Sequence, residues 1–118
     1  MKNILSILAV LALFLVSTTA FAGEGPMNLP SGAKPEAVSH NKEGIASWNK
    51  KDYNGALMHF SAASKIDGSS GEIHFNEAIC YDKIGKHGVA TKHFGVALKK
   101  AGGNTKLLNS PILKGHLG

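Results

Sequence analysis

Apolar residues return every three to four positions in successive stretches of this chain, and turn-forming residues separate the stretches. Tyr53, Ala56, Leu57, Phe60, Ala63 and Ile66 follow helical spacing, with Asp52 placed to cap the helix. Asp67-Gly68-Ser69-Ser70-Gly71 then breaks it. A further helix carries Ile73, Ala78, Ile79, Tyr81 and Ile84, with Ser69 or Ser70 as its cap and Gly85 at its end. The next carries Val89, Ala90, Phe94, Ala97, Leu98 and Ala101 on one stripe, and Gly102-Gly103 stops it. Pro35 suits a first helical turn, where its missing N–H is not needed, so a helix is expected over roughly Pro35 to Lys50. No stretch alternates with period two. The pattern predicts an all-α domain of two helical hairpins.

The two hairpins repeat each other. An offset of 34 residues superposes His40 on His74, Glu43 on Glu77 and Ile45 on Ile79. It also superposes Ala56, His59, Phe60, Ala63, Lys65 and Gly68 on Ala90, His93, Phe94, Ala97, Lys99 and Gly102. A fixed period of this length marks a stacked supersecondary unit, and such units more often form binding surfaces than catalytic pockets.

With Ala56/Phe60/Ala63 and Ala90/Phe94/Ala97 on the second helices, the pair of hairpins resembles two tetratricopeptide repeats over about residues 37–104. Small alanines let neighbouring helices approach, and the phenylalanines fill the space between layers. The first helices depart from the family pattern Trp-x-x-Leu-Gly-x-x-Tyr. They read His40-x-x-Glu43-Gly44-x-x-Ser47 and His74-x-x-Glu77-Ala78-x-x-Tyr81, and glycine replaces the usual proline at the repeat junctions.

The ends frame this unit. Lys2, the apolar run Ile4 to Val16 and Ala20-Phe21-Ala22 have the form of a cleaved signal peptide over residues 1–22. Its apolar core is about a dozen residues, short of the roughly 20 that span a bilayer. Residues 23–34, with two prolines and three glycines, read as a flexible leader. Residues 35–104 form the repeat domain, as 35–68 and 69–104. Residues 105–118 are expected to lie on the fourth helix as a cap, broken or restarted at Ser110-Pro111. About three repeats are generally needed for stability, so an inadequate cap would favour a homodimer. Export to a periplasm, or full secretion, follows from the signal, with no membrane segment left after its removal.

Composition narrows the function. All thirteen basic residues are lysines, and without Lys2 twelve face eight carboxylates. The absence of arginine, the residue of bidentate phosphate and base contacts, argues against a nucleic-acid partner. Cys80 is the only cysteine and lies in an apolar helical stretch, which makes it a small buried hydrophobe rather than a nucleophile. No serine has a nucleophile-elbow setting and no glycine cluster forms a phosphate loop. The chain reads as a non-enzyme, with no cofactor.

Six histidines invite a metal hypothesis. His40 with Glu43, and His74 with Glu77, each share a helix face at i, i+3, and His59 and His93 hold matching places on the second helices. The same pairs serve equally as a hydrogen-bonded polar seam duplicated with the repeat, and no zinc or calcium spacing strengthens the metal reading. No metal site is therefore assigned; metal binding by His40, Glu43, His74 and Glu77 stands as one alternative function, and self-assembly through unfilled repeat edges as another.

The leading expectation is an interaction module or adaptor for another protein or peptide. The resemblance implies a concave groove lined by the first helices, holding an extended peptide or a partner helix. Carried over by position, that face presents Asn41, Ile45, Trp48 and Asn49 from the first repeat, and Phe75, Ile79, Asp82 and Lys83 from the second. Trp48 and Phe75 would be aromatic anchors, the alternative being that Trp48 packs against the leader or Tyr53 and Phe75 lies in the core, and Asn49 and Lys83 would address a peptide main chain or carboxylate.

Overall fold

A computed structural model describes residues 23–118; the expected signal segment, residues 1–22, lies outside the described residues. The described chain is all-helical. Helices α1 (Pro35–Asn49) and α2 (Tyr53–Ile66) form one hairpin, and α3 (Gly71–Lys83) and α4 (His87–Lys99) form the second. Two short helices follow, α5 (Thr105–Leu108) and α6 (Pro111–Leu117).

Local chemistry sets these boundaries. Pro35 opens α1, and the Asp52 carboxylate caps α2 by accepting from the Gly55 N–H at 2.9 Å. Ser70 caps α3 through the Ile73 N–H, and Gly85 ends that hairpin turn at φ +86°. Asn104 caps α5, while Ser110 caps α6 with Pro111 in the first turn. These caps each satisfy donors that a helix start leaves orphaned.

α2 packs on α3 and so joins the hairpins, while α6 lies against α4 as the expected cap. Ala37, Ala56, Phe60, Ala63, Ile73 and Cys80 form one apolar cluster, and Phe75, Phe94, Ala97, Leu107 and Leu113 belong to a second. Trp48 packs against both. The small residue of the first helix is required: a Cβ on Gly44 would stand 2.5 Å from the Phe60 ring. Gly71 is more tightly held, since its Cβ would meet the Ala97 carbonyl oxygen at 2.5 Å and Ala101 main-chain atoms at 2.9 Å. The α4 stripe is narrower than its spacing suggests. Ala90, Phe94, Ala97 and Ala101 are buried, but Val89 and Leu98 are exposed on the outer side of this last long helix.

The expected flexible leader is instead an ordered strap. Its prolines and glycines exclude a helix, yet Met27 is buried in the second apolar cluster and Leu29 packs on the first. At its end the Lys34 N–H donates to Asp67, whose carboxyl is held below the usual range chiefly by the Ser69 hydroxyl, then by that main-chain contact. No helix among the described residues is long and apolar enough to cross a membrane.

Candidate functional site

The strap runs between α1 and α3, the helices expected to line a groove. Asn76, on α3, meets both main-chain groups of Met27: its Oδ1 accepts the Met27 N–H at 2.8 Å, and its Nδ2 donates to the Met27 carbonyl at 2.8 Å. Asn41, on α1, donates to the same carbonyl at 3.0 Å and accepts from Asn76 Nδ2 at 2.8 Å. The two amides form a closed set of hydrogen bonds around the main chain of one residue, Met27. Both are buried, so each of these bonds replaces water that could not reach the site. Upstream, the Glu24 carboxylate accepts the Ile112 N–H at 2.8 Å and thereby ties the strap to the start of α6.

This arrangement redistributes the residues expected to bind a partner. Asn41 addresses a main chain, that of Met27 in its own chain, the role expected of Asn49 and Lys83 toward a partner. Phe75 and Ile79 are at most 1 % exposed, and Phe75 packs edge-on against Phe94 at 5.7 Å. Phe75 is thus a core residue, not an aromatic anchor. Ile45 packs on the first apolar cluster, and Asn49 is exposed at the end of α1. Trp48, Asp82 and Lys83 do converge, with the edge of Ile79, on an open cleft of ≈ 520 Å³ completed by the strap and by Ile112. Trp48 stacks edge-on against Tyr53 at 4.9 Å, and the Lys83 ammonium lies 6.0 Å from the Trp48 ring.

The histidines gather in three clusters, each of two imidazoles and one carboxylate. Within the first hairpin Glu43 meets His40 and His59; within the second Glu77 meets His74 and His93. The pairing is therefore between the two helices of one hairpin, not between His40 and His74 of successive first helices. The third cluster joins Asp82 with His87 and His116. Asp82 Oδ1 accepts from His87 Nδ1 at 2.7 Å and from His116 Nε2 at 2.8 Å, while the Thr91 hydroxyl bridges His116 Nδ1 and the His87 carbonyl. Burial pushes the Asp82 carboxyl up, but the two imidazoles outweigh it and hold it below its ordinary value. The cluster is a hydrogen-bonded clasp that fastens α6 to the second hairpin.

The second-hairpin cluster is of another kind. The His74 Nε2–H donates to the Gly68 carbonyl at 2.8 Å, which turns Nδ1 toward Glu77 Oε1 at 3.3 Å. His93 Nδ1 stands 3.8 Å from the same oxygen. The contact with Glu77 raises the His74 pKa, opposed by burial and helped by the Gly68 carbonyl. Cys80, nearby on α3, is inert: burial first, and the Glu77 charge second, push its thiol up to about 12.

A scan of protein-family models finds no match to the chain, and a search of curated proteins finds none either.

Three features escaped the sequence. Asn76 lies one position past the repeat equivalent of Asn41, so the 34-residue offset points to Phe75 instead. The spacing of Met27 and Leu29, two apolar residues in the leader, was the available sign that it packs. The Asp82 clasp joins a residue of the second hairpin to His116 in the tail, and although the offset of 34 relates the two, unlike residues give no match to notice.

Proposed function

We propose that this chain is an exported, tetratricopeptide-type interaction module that docks on another protein and carries out no catalysis. The observation that supports it is the pair of buried amides, Asn41 and Asn76, holding the Met27 main chain between α1 and α3. A face that grips one residue by both of its main-chain groups suits non-helical segments, whatever their side chains. The strap fills the inner part of this face. The cleft beside it, with Trp48 as an apolar wall and Asp82 and Lys83 at the rim, remains for an apolar side chain of the partner.

A photoreactive residue in place of Lys83, which is exposed at the cleft, tests this in the native cell. The expected result is a discrete adduct from Lys83 and none from Met58, which is 67 % exposed on α2. No adduct from Lys83, or equal labelling from both positions, overturns the reading.

A further inference from the structure

We infer that His74, Glu77 and His93 form a binding site for a divalent transition-metal ion of the zinc class. Three observations carry this. First, Glu77 Oε1 is buried and has no hydrogen-bond partner, and neither does His93 Nδ1. The Glu77 side chain is only 7 % exposed, so water does not relieve the carboxylate. A buried, unpartnered carboxylate oxygen is costly unless a cation faces it.

Second, the spacing is that of ligands. Two atoms bound at 2.0–2.1 Å to one tetrahedral ion stand about 3.3–3.4 Å apart. His74 Nδ1 and His93 Nδ1 lie 3.3 and 3.8 Å from Glu77 Oε1, longer than good hydrogen bonds. The three ligand atoms fall within 4.8 Å of one another.

Third, each ligand is already oriented by a second contact. The Gly68 carbonyl fixes the His74 tautomer with its proton on Nε2, leaving the Nδ1 lone pair for a metal when the imidazole is neutral. The Ser61 hydroxyl donates to the other Glu77 oxygen at 3.4 Å, and the Tyr81 ring stacks on His93 at 5.0 Å. Two imidazoles and one carboxylate suit zinc, cobalt, nickel or copper rather than calcium or magnesium, which need more oxygens. Fewer than four protein ligands leave a coordination position for water or for a group on a partner.

The first-hairpin cluster shares an unpartnered imidazole nitrogen, His40 Nδ1, but in neither other cluster is the carboxylate oxygen both buried and unpartnered. Glu43 is 56 % exposed, so solvent reaches its carboxylate. Asp82 has its acceptor oxygen satisfied by two short hydrogen bonds.

Zinc chloride titrated into the folded chain, followed by imidazole ¹⁵N shifts and calorimetry, is the test. The first equivalent should move Nδ1 of His74 and His93 and leave His87 and His116 unchanged. Glu77→Gln and His93→Ala should each abolish that equivalent. Ser61→Ala should weaken it about tenfold, as second contacts to ligands do. His93 is partly exposed, so His93→Ala keeps the test valid even where Glu77→Gln perturbs folding. Absence of uptake, or a first equivalent taken by His40 and His59 or by the Asp82 clasp, overturns the assignment.

Discussion

The main-chain N–H and carbonyl of Met27 both close on the side-chain amide of Asn76, each at 2.8 Å. Replacing Asn76 with alanine leaves two choices. Either the Met27 N–H stays buried without a partner, at about 1–3 kcal/mol, or the strap lifts and exposes the Met27 side chain, at about 1.5–3 kcal/mol. The smaller cost sets the loss, so Asn76→Ala should destabilise by about 2 kcal/mol in a denaturant titration. Because the strap lines the cleft beside Trp48, lifting it should also shift the emission of this single tryptophan and open residues 23–34 to protease. A variant as stable and as protease-resistant as the parent would show that the amide does not hold the strap.

Lys51 and Gly85 stand one repeat apart, and both turn with positive φ, at +62° and +86°. Only glycine adopts that region without a Cβ penalty, of roughly 1–2 kcal/mol for other residues. Part of that gain is lost to the greater freedom of glycine in the unfolded chain. Lys51→Gly should therefore stabilise the first hairpin by about 0.5–1 kcal/mol, measured as a higher denaturation midpoint.

The repeat made the four long helices legible because its matched alanines, phenylalanines and glycines specify packing and turns. Caps at Asp52, Ser70 and Ser110 were equally plain, since a cap depends on neighbours in sequence. The strap was not legible. Its order comes from Asn41 and Asn76, which lie 14 and 49 residues away from Met27, and its own sequence records only that it is not helical and that Met27 and Leu29 are apolar. The histidine and glutamate matches were visible too. Their grouping depends on which faces of α1 and α2, or of α3 and α4, oppose each other, and the joining of Glu43 to His59 and of Glu77 to His93 is a tertiary fact.

Cys80 is buried with its thiol pushed up to about 12, first by burial and then by the Glu77 charge. The thiolate is the reactive form, so the folded chain should not react with a disulfide reagent at neutral pH. Modification should appear only as denaturant unfolds the chain, in step with the loss of helix. Rapid labelling of the native protein would contradict this burial.

The clasp at Asp82 predicts acid release of the tail. Its carboxyl pKa is lowered in the folded chain, so its contribution is present above the ordinary aspartate value of ~3.9 and is lost as pH falls through and below it. Asp82→Asn keeps the acceptor oxygen but not its charge, and should cost about 1 kcal/mol near neutral pH, the difference between hydrogen bonds to charged and to neutral groups. It should also flatten the acid limb of the stability profile. Chemical shifts of Leu113 and of the Phe94 ring, which His116 contacts at 4.8 Å, report tail detachment directly.

His74 sets the opposite trend on the alkaline side. Its pKa is raised in the folded chain, mainly by Glu77, so the stabilisation is complete below the ordinary histidine value of ~6.5 and fades as pH rises through the raised value. Metal-free protein should thus lose stability over that range, and Glu77→Gln should remove most of the slope. Zinc needs the neutral imidazole, and a ligand that binds only the folded chain stabilises it in proportion to the logarithm of its occupancy term. With zinc in excess the slope should reverse, stability rising as His74 gives up its proton. Melting temperatures measured across this range, with zinc and with chelator, decide the matter. Parallel profiles under the two conditions would mean that a proton, not a metal, answers the buried Glu77 carboxylate.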